Sequence, residues 1–143
     1  MLLNLLIGSA MVVLCLVLQA AFVTTCLRQY ARYRHNQGDR HSPLRDVVLL
    51  SLVLLLMLLG NFVQIAIWAA LFRLLGEFQD FATALYHSGV NFTGLGYGDI
   101  VMSERRRLLG PLEAANGILM FALSAAVITA AVLDIIKYRR TKT

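Results

Sequence analysis

The sequence predicts an all-α membrane protein, and three observations carry that expectation. The 143 residues are 59% apolar and only 15% charged, with a mean hydropathy of +0.71. Three apolar runs are each long enough to cross a bilayer. The basic residues then gather on one side of the arrangement those runs impose. A typical soluble domain carries about 25% charged residues, and a chain this short has too little interior to hide so much hydrocarbon. The same composition excludes a disordered chain and argues against a soluble enzyme. No Ser/His/Asp or Cys/His set is suggested, and the three histidines, His35, His41 and His87, fall on two sides of the membrane.

The first run covers Leu2 to Leu27, with Asn4, Ser9, Gln19, Thr24 and Thr25 as polar breaks. It has no Lys or Arg before it and is too long for a signal-peptide core, so a retained anchor helix is expected. The second covers Val47 to Phe72, broken by Ser51, Asn61 and Gln64. The third covers Leu108 to Ile136 and encloses Glu113, Asn116 and Asp134. As helices they reach about 39 Å or more at 1.5 Å per residue, beyond a hydrocarbon core of about 30 Å. Tilt or protruding ends absorb the excess. Cys15 and Cys26 have neither metal-like nor redox spacing and read as small apolar side chains.

Charge gives the topology. Arg28, Arg32, Arg34, Arg40 and Arg45 lie between the first two runs, and Lys137, Arg139, Arg140 and Lys142 follow the third. Nine of the 13 basic residues therefore sit on one side, while the segment 73–107 is neutral overall. The positive-inside rule puts the 28–46 loop and the C-terminus in the cytoplasm, with the N-terminus and 73–107 outside. The pI of about 9.7 thus needs no nucleic acid to explain it. The loop arginines also form a candidate site for anionic lipid. Arg28 onward reads as a helix extension, then a turn at Gly38, with Ser42 as N-cap and Pro43 at the start of the second helix.

The chemistry is expected between the second and third runs, in Phe78 to Asp99. Its first part is apolar and aromatic but too short to span, so a helix of about 12 residues fits, capped by Asp80. Thr93-Gly94-Leu95-Gly96-Tyr97-Gly98-Asp99 follows. Glycines alternate there with larger residues, which lets successive carbonyls point to one side. Such a strand, repeated around an axis, lines a pore with oxygens that replace the water shell of a monovalent cation. The negative end of the preceding helix favours the same ion.

Gly96-Tyr97-Gly98-Asp99 resembles the signature of the potassium channels. The short aromatic helix and the two flanking spans stand in that family's order, so the likeness covers Val47 to Ile136. The resemblance implies a pore domain over 47–137: outer helix 47–75, re-entrant pore helix 79–92, selectivity filter 93–99, inner helix 108–137. An additional N-terminal transmembrane helix (1–27), the basic loop (28–46) and a short basic tail (138–143) complete the chain. It implies a homotetramer around one pore, no cofactor, and K⁺ as the transported ion. Backbone carbonyls of Gly94, Leu95, Gly96 and Tyr97 would coordinate K⁺. Thr93, Gly98, Asp99, Tyr86, His87 and Asn91 would support them.

The chain departs from the family at Gly94, where threonine is usual. Glycine keeps the carbonyl, loses a hydroxyl, and is expected to leave the lower end of the filter less restrained. Thr93, one place earlier, is out of register to replace it. A weakly selective monovalent cation channel is therefore one alternative, and a non-conducting membrane subunit that keeps the fold is another. A potassium-transporter subunit is a third, against which the single filter segment counts. Tyr86 is the first candidate donor to Asp99, and Asn91 or His87 of a neighbour could meet Tyr97. His87 could make the filter acid-sensitive or simply pack at an interface. Gly117 is either a gating hinge or a packing notch. Ala125, Ala126, Ala130 and Ala131 make the lower half of the third run slender, for close helix crossing or for a constricted or wide inner mouth. Glu113 has three readings: a partner for Arg105–Arg107, an acid at the outer surface, or a brace behind the filter. Asp134 pairs with Lys137 or meets solvent, or it forms an acidic ring at the inner mouth. The Arg105–Arg107 run reads as a solvated turret. The first run carries no arginine repeat and no ligand-binding domain follows the third, so neither usual mode of gating is expected. The expected location is a plasma membrane, with a bacterial inner membrane suggested by the compact chain.

Overall fold

The computed structural model describes residues 1–35 and 43–141. Among these the regular structure is helical: α1 Leu2–His35, α2 Pro43–Leu74, α3 Phe81–Phe92 and α4 Leu109–Thr141. The segments Leu2–Arg32, Asp46–Leu74 and Leu109–Lys137 are long and apolar enough to cross a membrane, with mean hydropathies of 2.5, 2.4 and 2.3. The expected N-cap Ser42, the turn at Gly38, and Arg40 lie outside the described residues. Arg28 and Arg32 sit on the last turns of α1, while Arg34 and Arg45 are described by their helical backbone alone.

α1 continues past the apolar run to His35, a 34-residue helix that also carries Arg28, Arg32 and Arg34. Polar residues do not end a helix by themselves; glycine and proline do, and both lie further on. Pro43 opens α2, where its missing N–H costs nothing and its fixed φ suits the first turn. α3 begins at Phe81 because Asp80 holds an extended backbone and accepts the Thr83 N–H at 2.8 Å.

α1 packs against both α2 and α4, and α3 fits between α2 and α4 at one end of the bundle. The larger apolar cluster lies at that end: Cys15, Ile65, Trp68, Phe72, Phe92, Met102, Leu109 and Met120. The smaller one, Cys26, Val53, Met57 and Val127, lies toward the other end. Between them a polar layer crosses the interface. Gln64 Nε2 donates to Gln19 Oε1 at 2.8 Å, and Gln19 Nε2 donates to Ser124 Oγ at 3.1 Å. Gln19 and Gln64 are wholly buried, and in an apolar surrounding such groups find partners because leaving them unpaired is costly. This layer fixes α1 in register against the other two spans.

The start of α1 and the loop before α4 meet at the α3 end. Asn4 Nδ2 donates to the Arg105 carbonyl at 2.6 Å, and Arg106 Nη1 donates to Asn4 Oδ1 at 3.0 Å. Of the expected solvated turret at Arg105–Arg107, Arg105 and Arg107 are exposed, while Arg106 is half-buried and fastened to α1.

Candidate ion-conduction site

α3 is fixed at its start, its middle and its end. At the start, Asp80 caps it, and the Thr83 hydroxyl reaches Asp80 Oδ2 at 2.5 Å. In the middle, buried Ser88 contacts α2 and α4 together: its Oγ lies 2.8 Å from the Ile65 carbonyl oxygen and in hydrogen-bond contact with Glu113 Oε1. At the end, Gly94 has φ +75°, its N–H reaches the Asn91 carbonyl at 2.8 Å, and the Leu95 N–H reaches the Val90 carbonyl at 3.0 Å. These paired bonds around a left-handed residue form a Schellman cap, for which glycine is the favoured occupant. The expectation that Gly94 loosens the strand is thereby corrected: it terminates α3 and holds the first two residues of the following strand against the helix end. The Thr93 hydroxyl turns back to the Gly89 carbonyl at 2.7 Å, so it contributes to the cap.

Beyond the cap, Gly96 and Gly98 also have positive φ, +57° and +74°, while Leu95 and Tyr97 do not. The backbone from 94 to 98 thus alternates in hand residue by residue. This is the geometry that can turn successive carbonyls to one side.

The strand is tied back by side chains of α3. Tyr86 Oη donates to Asp99 Oδ2 at 2.7 Å. That bond holds the Asp99 carboxyl below its ordinary range and pushes the Tyr86 hydroxyl above its own. His87 Nδ1 donates to the Ile100 carbonyl at 2.9 Å, and Asn91 Nδ2 donates to His87 Nε2 at 2.9 Å. One donor and one acceptor is the inventory of a neutral imidazole. Burial, with Phe72 and Phe78 against the ring, pushes His87 below the usual imidazole range. Both ring nitrogens are committed within the chain, which corrects the idea that His87 bonds Tyr97 of a neighbour. Glu77 secures the far side of the loop, accepting from Ser103 N at 2.8 Å and Ser103 Oγ at 2.9 Å.

α4 passes directly behind this unit. A Cβ added at Gly117 would fall inside the van der Waals shell of the Phe92 carbonyl oxygen and 2.7 Å from its carbonyl carbon. Gly117 is therefore the notch that lets α4 cross the end of α3. One turn earlier Glu113 is wholly buried against Ser88, so the readings that placed it at the outer surface or beside Arg105–Arg107 are corrected. Asp134, near the other end of α4, accepts from Tyr30 of α1 at 2.8 Å. One of its carboxylate oxygens is thus engaged by α1.

A match between the chain and a family model described as ion channel runs over residues 48–134, more than half of the sequence. The chain belongs to the two-transmembrane-type ion-channel family, which includes potassium-channel pore domains. No curated protein and no solved structure gives a significant match. In this channel the family region begins inside α2 and ends at Asp134, so α1 lies outside it. The Gln19–Gln64–Ser124 layer and the Ser88–Glu113 contact escaped the sequence reading. Their signal was present as single polar residues in apolar runs, but their partners lie 25 to 105 positions apart.

Proposed function

We propose that the chain is one subunit of a homotetrameric channel that passes K⁺ selectively and passively across a plasma membrane. The observation that carries this reading is the alternating backbone of Gly94, Leu95, Gly96, Tyr97 and Gly98 at the end of a short capped helix. In this reading the carbonyls of Gly94, Leu95, Gly96 and Tyr97 coordinate K⁺ in place of water. Thr93, Gly98, Asp99, Tyr86, His87 and Asn91 hold the strand, and the negative end of α3 adds a favourable dipole. Four copies are needed because a single strand cannot surround an ion. Two features support assembly: Tyr97 is 67% exposed in the single chain, and a cleft of about 330 Å³ lined by Val90, Asn91, Ile100 and Met102 opens behind the strand. In this reading the cleft receives the Tyr97 ring of a neighbouring subunit.

The basic distribution supports an N-terminus outside and a C-terminus in the cytoplasm. Arg28 and Arg32 then lie at the cytoplasmic surface. Arg32 flanks an apolar groove between α1 and α2 that suits an anionic lipid.

The test is ion flux through the purified protein in liposomes. The expected result is K⁺ flux well above Na⁺ flux, lost on replacing Gly96 or Tyr97. Equal K⁺ and Na⁺ permeability would instead indicate a general monovalent cation channel, the consequence expected if the hydroxyl absent at Gly94 is essential. A folded tetramer without flux would reduce the chain to a non-conducting subunit.

A further inference from the structure

Ser88 and Glu113 present a hydrogen-counting problem. Ser88 Oγ lies 2.8 Å from the Ile65 carbonyl oxygen and bonds Glu113 Oε1 as well. A hydroxyl has one hydrogen to donate, and a backbone carbonyl has none. If the Ser88 hydrogen serves Ile65, the bond to Glu113 needs a hydrogen from the carboxyl group. An ionised Glu113 would take that single hydrogen and leave the Ser88 and Ile65 oxygens 2.8 Å apart with no hydrogen between them.

The surroundings point the same way. Glu113 is wholly buried, and its second oxygen has no hydrogen-bond partner among the described residues. The groups beside it are Ser88 and Asn91 from α3 and Cys15 from α1, which in turn meets Trp68 of α2 and Asn116 of α4. Cys15 is the titratable group among them. His87, next to Ser88, has both nitrogens bonded elsewhere. Arg106 is engaged by Asn4 of α1. A carboxylate in this place would be a buried charge with no countercharge, which is strongly unfavourable.

We propose that Glu113 is a neutral carboxylic acid that donates its proton to Ser88 Oγ, whose own hydrogen continues the chain to the Ile65 carbonyl. The resulting relay runs from α4 through α3 to α2 and sets the height and rotation of α3 behind the filter strand. Glu113 is thus a positioning residue: it touches no ion and acts through Ser88. The inference rests on the filter reading only for its effect on flux.

Infrared difference spectroscopy on the full chain in lipid, comparing wild type with E113Q at pH 7, tests the proton directly. The expected result is the carbonyl-stretch band of a protonated carboxylic acid in wild type, absent in E113Q, and shifted in S88A as the acid loses its acceptor. A carboxylate band in place of the acid band overturns the proposal, as does an acid band that S88A leaves unmoved. This readout needs no conduction, so a protein that fails to pass ions counts against the filter and not against the relay. Flux then tests positioning. Glutamine keeps an N–H donor, so E113Q is expected to retain the K⁺-to-Na⁺ flux ratio, while E113L lowers it about tenfold through the lost bond. If E113L does not fold, E113Q alone decides, because a ratio that collapses despite the retained donor overturns the relay.

Discussion

At the α3 end of the bundle, α3 is bonded to α2, to α4 and to the loop that follows it. At the opposite end, α1, α2 and α4 meet through the small Cys26–Val53–Met57–Val127 cluster and the Tyr30–Asp134 bond. The α3 end combines aromatic packing with a run of polar ties: Asp80–Thr83, Tyr86–Asp99, His87–Ile100, Ser88–Glu113 and Glu77–Ser103. The other end keeps Ala125, Ala126 and Ala130 exposed on the single chain. The difference teaches where the fold needs precision. A carbonyl filter works only if its backbone is held to a fraction of an ångström, and apolar packing between smooth helices leaves sliding and rotation relatively free. Directional bonds remove that freedom at the end that holds α3.

The largest effect should come from closing the notch behind the filter. Gly117→Ala pushes a methyl into the Phe92 carbonyl, a backbone atom that cannot step aside without moving α3. A loss of about 3 kcal/mol is expected, read as a collapse of thermal stability in detergent together with loss of flux. A stable, conducting Gly117→Ala would show that this crossing is not tight. Next comes Gly94→Thr, which restores the residue usual in the potassium channels. At φ +75° a β-branched residue is strained, so a loss of about 1–2 kcal/mol is expected, seen as a lowered melting temperature. An unchanged or raised melting temperature would mean that the cap is dispensable.

A pH titration sharpens the comparison further. His87 is held neutral, so its pKa in the folded protein lies below the unfolded value. The unfolded state then binds the proton first as pH falls. Stability is full above about pH 6.5 and declines as pH falls from there toward the lowered folded value. Melting curves of the wild type should show this acid loss, and His87→Gln should flatten it, since glutamine can donate to Ile100 and accept from Asn91. An identical slope in both proteins would assign the loss to another group. The smallest effect is expected at the inner end: Tyr30→Phe should cost about 0.6 kcal/mol and leave the K⁺-to-Na⁺ flux ratio untouched. A change in that ratio would show that the two ends are coupled.

How far the sequence could be read varied with distance along the chain. The cap at Asp80 is legible because the N–H it accepts, that of Thr83, is only three residues on. The Tyr86–Asp99 bond was suggested by position, because a short helix and a tight strand leave few arrangements for residues 13 apart. Gly94 was read as a loss of restraint, because a cap depends on the backbone hand that the following strand imposes. Glu113 and Asp134 each admit several readings from sequence, since an acid in an apolar helix declares itself unusual without saying which way it faces. Arg106 was placed in solvent because nothing in its neighbourhood along the chain names Asn4, 102 positions away.

By itself, then, the sequence determined the membrane, the three spans and the alternating glycine strand, because hydropathy and backbone permission are properties of residues and their near neighbours. The tertiary structure alone decided the roles of Gly117, Ser88, Glu113, Gln19 and Gln64. Each depends on a partner from another helix, and helix rotation is set by the whole packed interface. An apolar surface of nearly uniform composition carries no mark of that rotation until the polar atoms meet.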